Sequence, residues 1–170
     1  MARPLTPAAT DVDLRAVWRV TTPKIEADAV EFWRRLGLLP PDVDPAARAK
    51  QLAAVAYRDG ALVGVMTVSL ERVEAVRARL AMIRTAVDPE HRRTHVVMAL
   101  LLATRSTIER WSQAHPEERI AGLGAVIESG ELTERQRQAF WPQSRLGLAG
   151  YTTDGRQFRI SWFDDFVLDQ

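Results

Sequence analysis

Cysteine is missing from this chain of 170 residues, which excludes disulfides, thiolate metal sites and a cysteine nucleophile, and sits easily with a reducing compartment. An excess of charge of one sign is missing too. Against 23 lysines and arginines stand 22 acidic residues, a net charge of +1, so nothing in the balance asks for a nucleic acid or an anionic membrane, and any anion binding has to be local. There is no uncharged apolar run long enough to span a bilayer and no visible secretory signal, so the expectation is a cytoplasmic protein. Tyrosine is scarce, with only Tyr57 and Tyr151. Neither a phosphate-binding P-loop nor a dinucleotide fingerprint is present, and no internal repeat is seen. His91 and His95 stand four apart, but Arg-Arg-Thr separates them with no glutamate to serve as a base. Two adjacent cations repel a metal, so none is expected.

What is present is an ordinary globular composition, 46% apolar and 26% charged, at a length that suits one domain. Residues 1–13, rich in Pro, Ala and Thr, read as a lead-in without periodicity. Residues 14–21 alternate as a strand. Thr22-Pro23 opens a helix with Ile25, Ala29, Phe32, Trp33 and Leu36 as its stripe, and Asp44-Pro45 opens a second, short one. Two apolar runs, 52–58 and 61–71, flank Asp59-Gly60, the pair that a type I′ hairpin turn demands. Residues 73–79 read as a charged connection. Residues 119–128 read as a strand with Gly122, Gly124, Val126 and Glu128 on one face, and two glycines on one face mean that something approaches closely there. Thr133 and Gln136 resemble a capping box for a helix reaching Phe140-Trp141. Strands 145–151 and 157–168 flank a second Asp-Gly turn, with Asp164 turned to water at a bulge or strand end.

The other segments arrange themselves around residues 80–111. An apolar strand over 80–87 breaks at Asp88-Pro89, and Val97, Leu100, Leu101, Thr104, Ile108 and Trp111 then recur at helical spacing to about Gln113. A loop that opens a helix is a natural anion site, because free backbone N–H groups and the positive dipole end coincide there. Arg92, Arg93, Thr94 and His95 crowd that end.

This order, with the hairpin VAYRDGALVGVMTV of 55–68 feeding strand 80–87 and the loop-helix VDPEHRRTHVVMALL, resembles the GCN5-related N-acetyltransferase (GNAT) family over roughly residues 14–168. The resemblance implies an α/β (α+β) fold: one domain over 14–170, with a central mixed, mostly antiparallel sheet of about seven strands flanked by about four helices. It implies acetyl-CoA as acyl donor, an amine acceptor of small-molecule or peptidyl kind, and no metal. The family's pantetheine arm bonds to the strand matching 80–87, where it splays from the strand matching 119–128, and the following loop wraps the pyrophosphate. Carried over, the implied cofactor-binding residues are Thr85, Ala86, Val87, Arg92, Arg93, Thr94, His95, Val96 and Val97. Arg92 takes the position of the family's Gln or Arg, while His95 and Val97 replace two small residues that let the backbone close on phosphate. The family's tyrosine acid near the end of the last helix has no match at Phe140-Trp141.

Amine acetylation needs a base within hydrogen-bond reach and donors for the developing oxyanion. Glu128, on the glycine face of its strand, is the candidate base, with Glu71 a weaker one. Arg84 interrupts an apolar strand face, so it pairs with a carboxylate, faces the cleft or lies on an open face. Three readings of 92–97 stay open: a pyrophosphate loop aided by Arg92 or Arg93, a degenerate loop in a non-catalytic binding module, or a site for another ligand. A homodimer built on the Trp-bearing closing strand is compatible with each.

Overall fold

A computed structural model describes residues 12–92 and 95–168; the readings of residues 1–11, Arg93 and Thr94 lie outside the described residues. The elements are β1 (Asp13–Ala16), α1 (Pro23–Arg35), α2 (Pro45–Ala49), β2 (Leu52–Arg58), β3 (Ala61–Val73), β4 (Ala78–Val87), α3 (Val96–Ala114), β5 (Ile120–Val126), α4 (Gly130–Arg135), β6 (Phe140–Trp141), β7 (Leu146–Tyr151) and β8 (Gln157–Trp162). Their strands form one sheet in the order β1-β2-β3-β4-β5-β8-β7-β6. β4 and β5 run parallel, whereas β1 with β2, β5 with β8, β8 with β7 and β7 with β6 run antiparallel. No helix among the described residues is long and apolar enough to cross a membrane.

Two compact units divide the chain, the first being the described part of Met1–Met66 with Thr85–Ala103, the second Thr67–Arg84 with the described part of Thr104–Gln170. In the first, Thr22 caps α1 by accepting the Ile25 N–H at 3.3 Å, Pro23 follows where its missing N–H costs nothing, and Ile25, Ala29, Phe32 and Trp33 are buried. They pack on Leu52, Val55 and Tyr57 of β2 and on Leu62 and Val65 of β3. β2 is apolar without alternation because all of it up to Tyr57 is buried, as in a strand covered on both faces. Asp59 and Gly60 both adopt positive φ, 50° and 78°, the signature of the expected type I′ turn. Gly64 of β3 lies under the start of α3: a Cβ there would sit 3.0 Å from Val96 Cγ1 and 3.1 Å from Leu100 Cδ1.

In the second unit a core of Ala78, Leu80, Ala121 and Ile160 is flanked by Met82, Phe158 and Phe166. The glycine face of β5 is explained here. An added Cβ at Gly122 would meet the Ser161 carbonyl oxygen at 2.5 Å and Trp162 Cα at 2.9 Å, and one at Gly124 would run into the Met82 sulfur. Arg159 of β8 is fully buried with its guanidinium 3.7 Å over the Trp141 ring.

Several boundaries differ from the sequence reading. The sheet has eight strands rather than seven, because Phe140–Trp141 is a short strand and not a helix end. α4 stops at Arg135, Trp141 donates its indole N–H back to the Gln136 carbonyl at 3.3 Å, and Arg159 stacks over it. The cap of α4 is Ser129, accepting from the Leu132 N–H, whereas Thr133 donates to the Gly130 carbonyl. The first strand covers only Asp13–Ala16, since Arg19 turns the chain with φ 62°. The charged connection is shorter than expected: β3 runs to Val73, and a single 3-10 turn at Glu74–Val76 leads into β4. β8 ends at Trp162, and Asp164 beyond it is exposed and paired with Arg145, in line with the strand end expected there.

The fixed backbone facing Gly122 makes a sharp comparison. Gly122→Ala is expected to destabilise the protein by about 2 kcal/mol through overpacking, lowering the melting temperature by roughly 4–8 °C. Gly150→Ala, with nothing within 4 Å of the added methyl, should leave it unmoved in the same melting experiment.

Candidate functional site

β4 carries the first half of the candidate site. Its register with β5 runs from Arg79↔Ile120 to Met82↔Gly124 and, among the described residues, goes no further, so β4 continues through 83–87 beyond its last partner on that side. Arg84 lies on an open face, exposed beside exposed Thr85, while Ala86 is half-buried and Val87 buried. Asp88 fixes where the strand stops. Its N–H donates to the Val63 carbonyl at 2.9 Å, its carboxylate accepts from the Glu90 N–H at 3.0 Å, and Arg35 from α1 donates to that carboxylate at 2.7 Å. The Arg35 guanidinium above all holds the Asp88 carboxyl below the usual carboxylate range.

A 3-10 turn over Pro89–His91 follows, with Arg92 exposed after it. The His95 carbonyl accepts from the Ala99 N–H at 2.9 Å, so the N–H groups of Val96, Val97 and Met98 form the first turn of a 19-residue helix and have no acceptor within it. His95 is exposed and Val97 is 42% exposed; Val96 is buried under Gly64, so only its backbone is available to a ligand. N–H groups that lack an acceptor within the helix, the helix dipole and Arg92 together suit an anion such as pyrophosphate. The exposed side chains of His95 and Val97 stand where small residues would let a loop close more tightly.

Glu128 belongs to the second unit, two residues past the end of β5 rather than on it. It lines a hollow of about 270 Å³ with Ile127, with Gly130 and Thr133 from the start of α4, and with Tyr151, Asp154, Gly155 and Arg156 from the turn joining β7 to β8. Its carboxylate is 3.7 Å from an Arg156 nitrogen, and Arg156 Nε is 2.8 Å from Asp154 Oδ2. The Thr152 hydroxyl first, then Arg156, hold the Asp154 carboxyl below its ordinary range. Thr152 also locks the turn: its N–H donates to the Arg156 carbonyl at 2.9 Å, and its hydroxyl oxygen accepts from the Arg156 N–H at 3.0 Å. The Ile127 N–H donates to the Gln157 carbonyl at 2.9 Å, tying the end of β5 to the exit of that turn.

Of the two tyrosines, Tyr57 is structural: its hydroxyl donates to Asp28 at 2.8 Å, and burial first, then that carboxylate, push its phenol well up. Tyr151, 65% exposed, shares the hollow with Glu128. Glu71 is exposed and accepts from the Ser69 hydroxyl at 2.6 Å. Sequence reasoning found the second Asp-Gly turn and missed that Asp154 and Arg156 stand beside Glu128. The signal for it is the antiparallel pairing of β8 with β5, Val126↔Phe158, which local sequence does not encode. Among the described residues no group of three or more His, Asp or Glu side chains is placed to hold a metal.

No protein-family model and no curated protein sequence matches the chain. Solved structures do. A GNAT-family N-acetyltransferase from Escherichia coli, in complex with CoA, superposes with a TM-score of 0.60 at 17% identity, over 94% of this chain and 86% of that one. The diaminobutyrate acetyltransferase of Paenibacillus lautus, in complex with L-2,4-diaminobutyric acid and CoA, gives 0.56 at 15% identity over 94% and 99%. The ribosomal-protein-S18-alanine N-acetyltransferase of Escherichia coli gives 0.54 at 16% over 88% and 90%. At such identities the likeness is one of fold, and the fold of this chain is that of the GCN5-related N-acetyltransferases.

Proposed function

We propose that the chain is an acetyl-CoA-dependent N-acetyltransferase acting on an amine. The observation that carries the reading is β4, which outruns its pairing with β5 among the described residues and leads through Asp88 to the first turn of α3, within a fold shared with acetyltransferases. The donor supplies an activated thioester: the amine nitrogen bonds to the acetyl carbon, the carbon–sulfur bond breaks, and the sulfur leaves as thiolate. In this chain, backbone N–H groups along Thr85–Val87 orient and polarise the carbonyl, the first turn of α3 with Arg92 and Arg93 neutralises pyrophosphate, and Glu128 takes the amine proton directly or through one water. A second reading, a GNAT-fold module that binds without catalysis, is favoured by His95 and Val97 in the loop.

A melting experiment separates the two. Acetyl-CoA at a hundred times its dissociation constant stabilises by about 2.7 kcal/mol, a rise of roughly 5–10 °C for a chain of this size. An unmoved melting temperature at millimolar acetyl-CoA overturns the enzyme reading. Replacing Arg92 and Arg93 together by Ala should abolish most of the shift. Glu128→Gln should lower kcat by about a hundredfold while leaving the acetyl-CoA shift intact; an unchanged kcat would assign the proton to water instead.

A further inference from the structure

We infer that the hollow beside Glu128 selects a compact cationic amine, one that carries a second positive group and no carboxylate. This names the acceptor class and rests on the transferase reading for the fate of the amine, though not for its binding. Three charges face the hollow: Glu128 and Asp154 are negative and Arg156 is positive, leaving one negative charge in surplus. Arg156 is occupied, with Nε on Asp154 at 2.8 Å and a terminal nitrogen 3.7 Å from Glu128, so reading a substrate carboxylate would mean giving up those pairs. On α4 nearby, Glu131 and Arg135 cancel one another at 2.9 Å. The surplus therefore attracts ammonium and repels carboxylate.

Size and stiffness point the same way. At about 270 Å³ and open to solvent on one side, the hollow covers only a short stretch of a ligand, enough for one ammonium group and its neighbouring carbons. The Thr152 bonds fix the turn that presents Asp154 and Arg156, and the Ile127–Gln157 bond fixes the segment that presents Glu128, so the backbone carrying these exposed carboxylates is set before a ligand arrives. With two amino groups, one can stay charged and bound beside Asp154 while the other gives up its proton to Glu128.

The test is calorimetric titration of the full chain at low salt and neutral pH, without acetyl-CoA, with 1,4-diaminobutane, 4-aminobutanoate and butanedioate as probes. The diamine should bind about tenfold tighter than the zwitterion, and the dicarboxylate should not bind. Replacing Glu128 by Gln and Asp154 by Asn together should weaken the diamine by about tenfold, whereas Arg156→Ala, which raises the negative surplus, should tighten it. Tighter binding of 4-aminobutanoate, lost in Arg156→Ala, would overturn the inference by showing that Arg156 reads a carboxylate. Equal diamine binding by the doubly substituted chain would overturn it as well. Because no acetyl-CoA is present, a chain that binds the diamine yet ignores acetyl-CoA fails only as a transferase, and one that acetylates amines without this preference fails only here.

Discussion

The parallel pairing of β4 with β5 is the constraint from which the rest follows. Antiparallel neighbours can be joined by a two-residue turn, but parallel ones need the chain to travel back along the sheet before the second strand starts, and a helix is the usual means. α3 makes that return, so its positive end stands at the close of β4. The same pairing has to hold only over Arg79 to Met82 to fix the register, which leaves the far end of β4 without a partner on that side among the described residues. A helix start close to the end of β4 and, among the described residues, a stretch of β4 beyond its last β5 partner thus arise together from one topological requirement.

Beyond β5 the strands are short, and charged donors take over from apolar area. Arg159 is buried with no carboxylate partner among the described residues. It donates to the carbonyls of Gln138, Ala139 and Leu146 at 2.9, 3.2 and 3.3 Å and to the Gln157 side chain at 2.9 Å, with Trp141 against its face. Spreading the charge over several oxygens and an indole offsets the cost of dehydrating the guanidinium, while burial draws Arg159 below its ordinary value. Arg105, also buried, donates to Glu109 and to the Trp162 carbonyl, both at 3.1 Å. Through Gln157 the Arg159 cluster reaches the start of β8, next to the turn that walls the hollow.

Where a local rule decides, the sequence was readable. Thr22-Pro23, Asp44-Pro45 and Asp59-Gly60 each determine their element with neighbours alone, and the glycine face of β5 correctly announced a close approach. The reading failed where distant residues decide. The stretch after Arg135 has helical composition, but Trp141 is claimed by Arg159, eighteen positions later, and becomes a strand. Glu128 was legible as a carboxylate near a strand end, and its companions Asp154 and Arg156 were not, because only strand order brings that hairpin beside it.

Gly64 accounts for how a sequence can stray while its fold stays put. The start of α3 is located by Val96 and Leu100 resting on a β3 position with no side chain, and the end of β4 by the hold of Val63 and Arg35 on Asp88. Both ends of the connecting loop are thus anchored by residues outside it, and the residues between are relieved of holding the helix in place. Such a segment is free to vary in sequence, because the helix start and the strand end are held from β3 and α1 and not by the residues that join them.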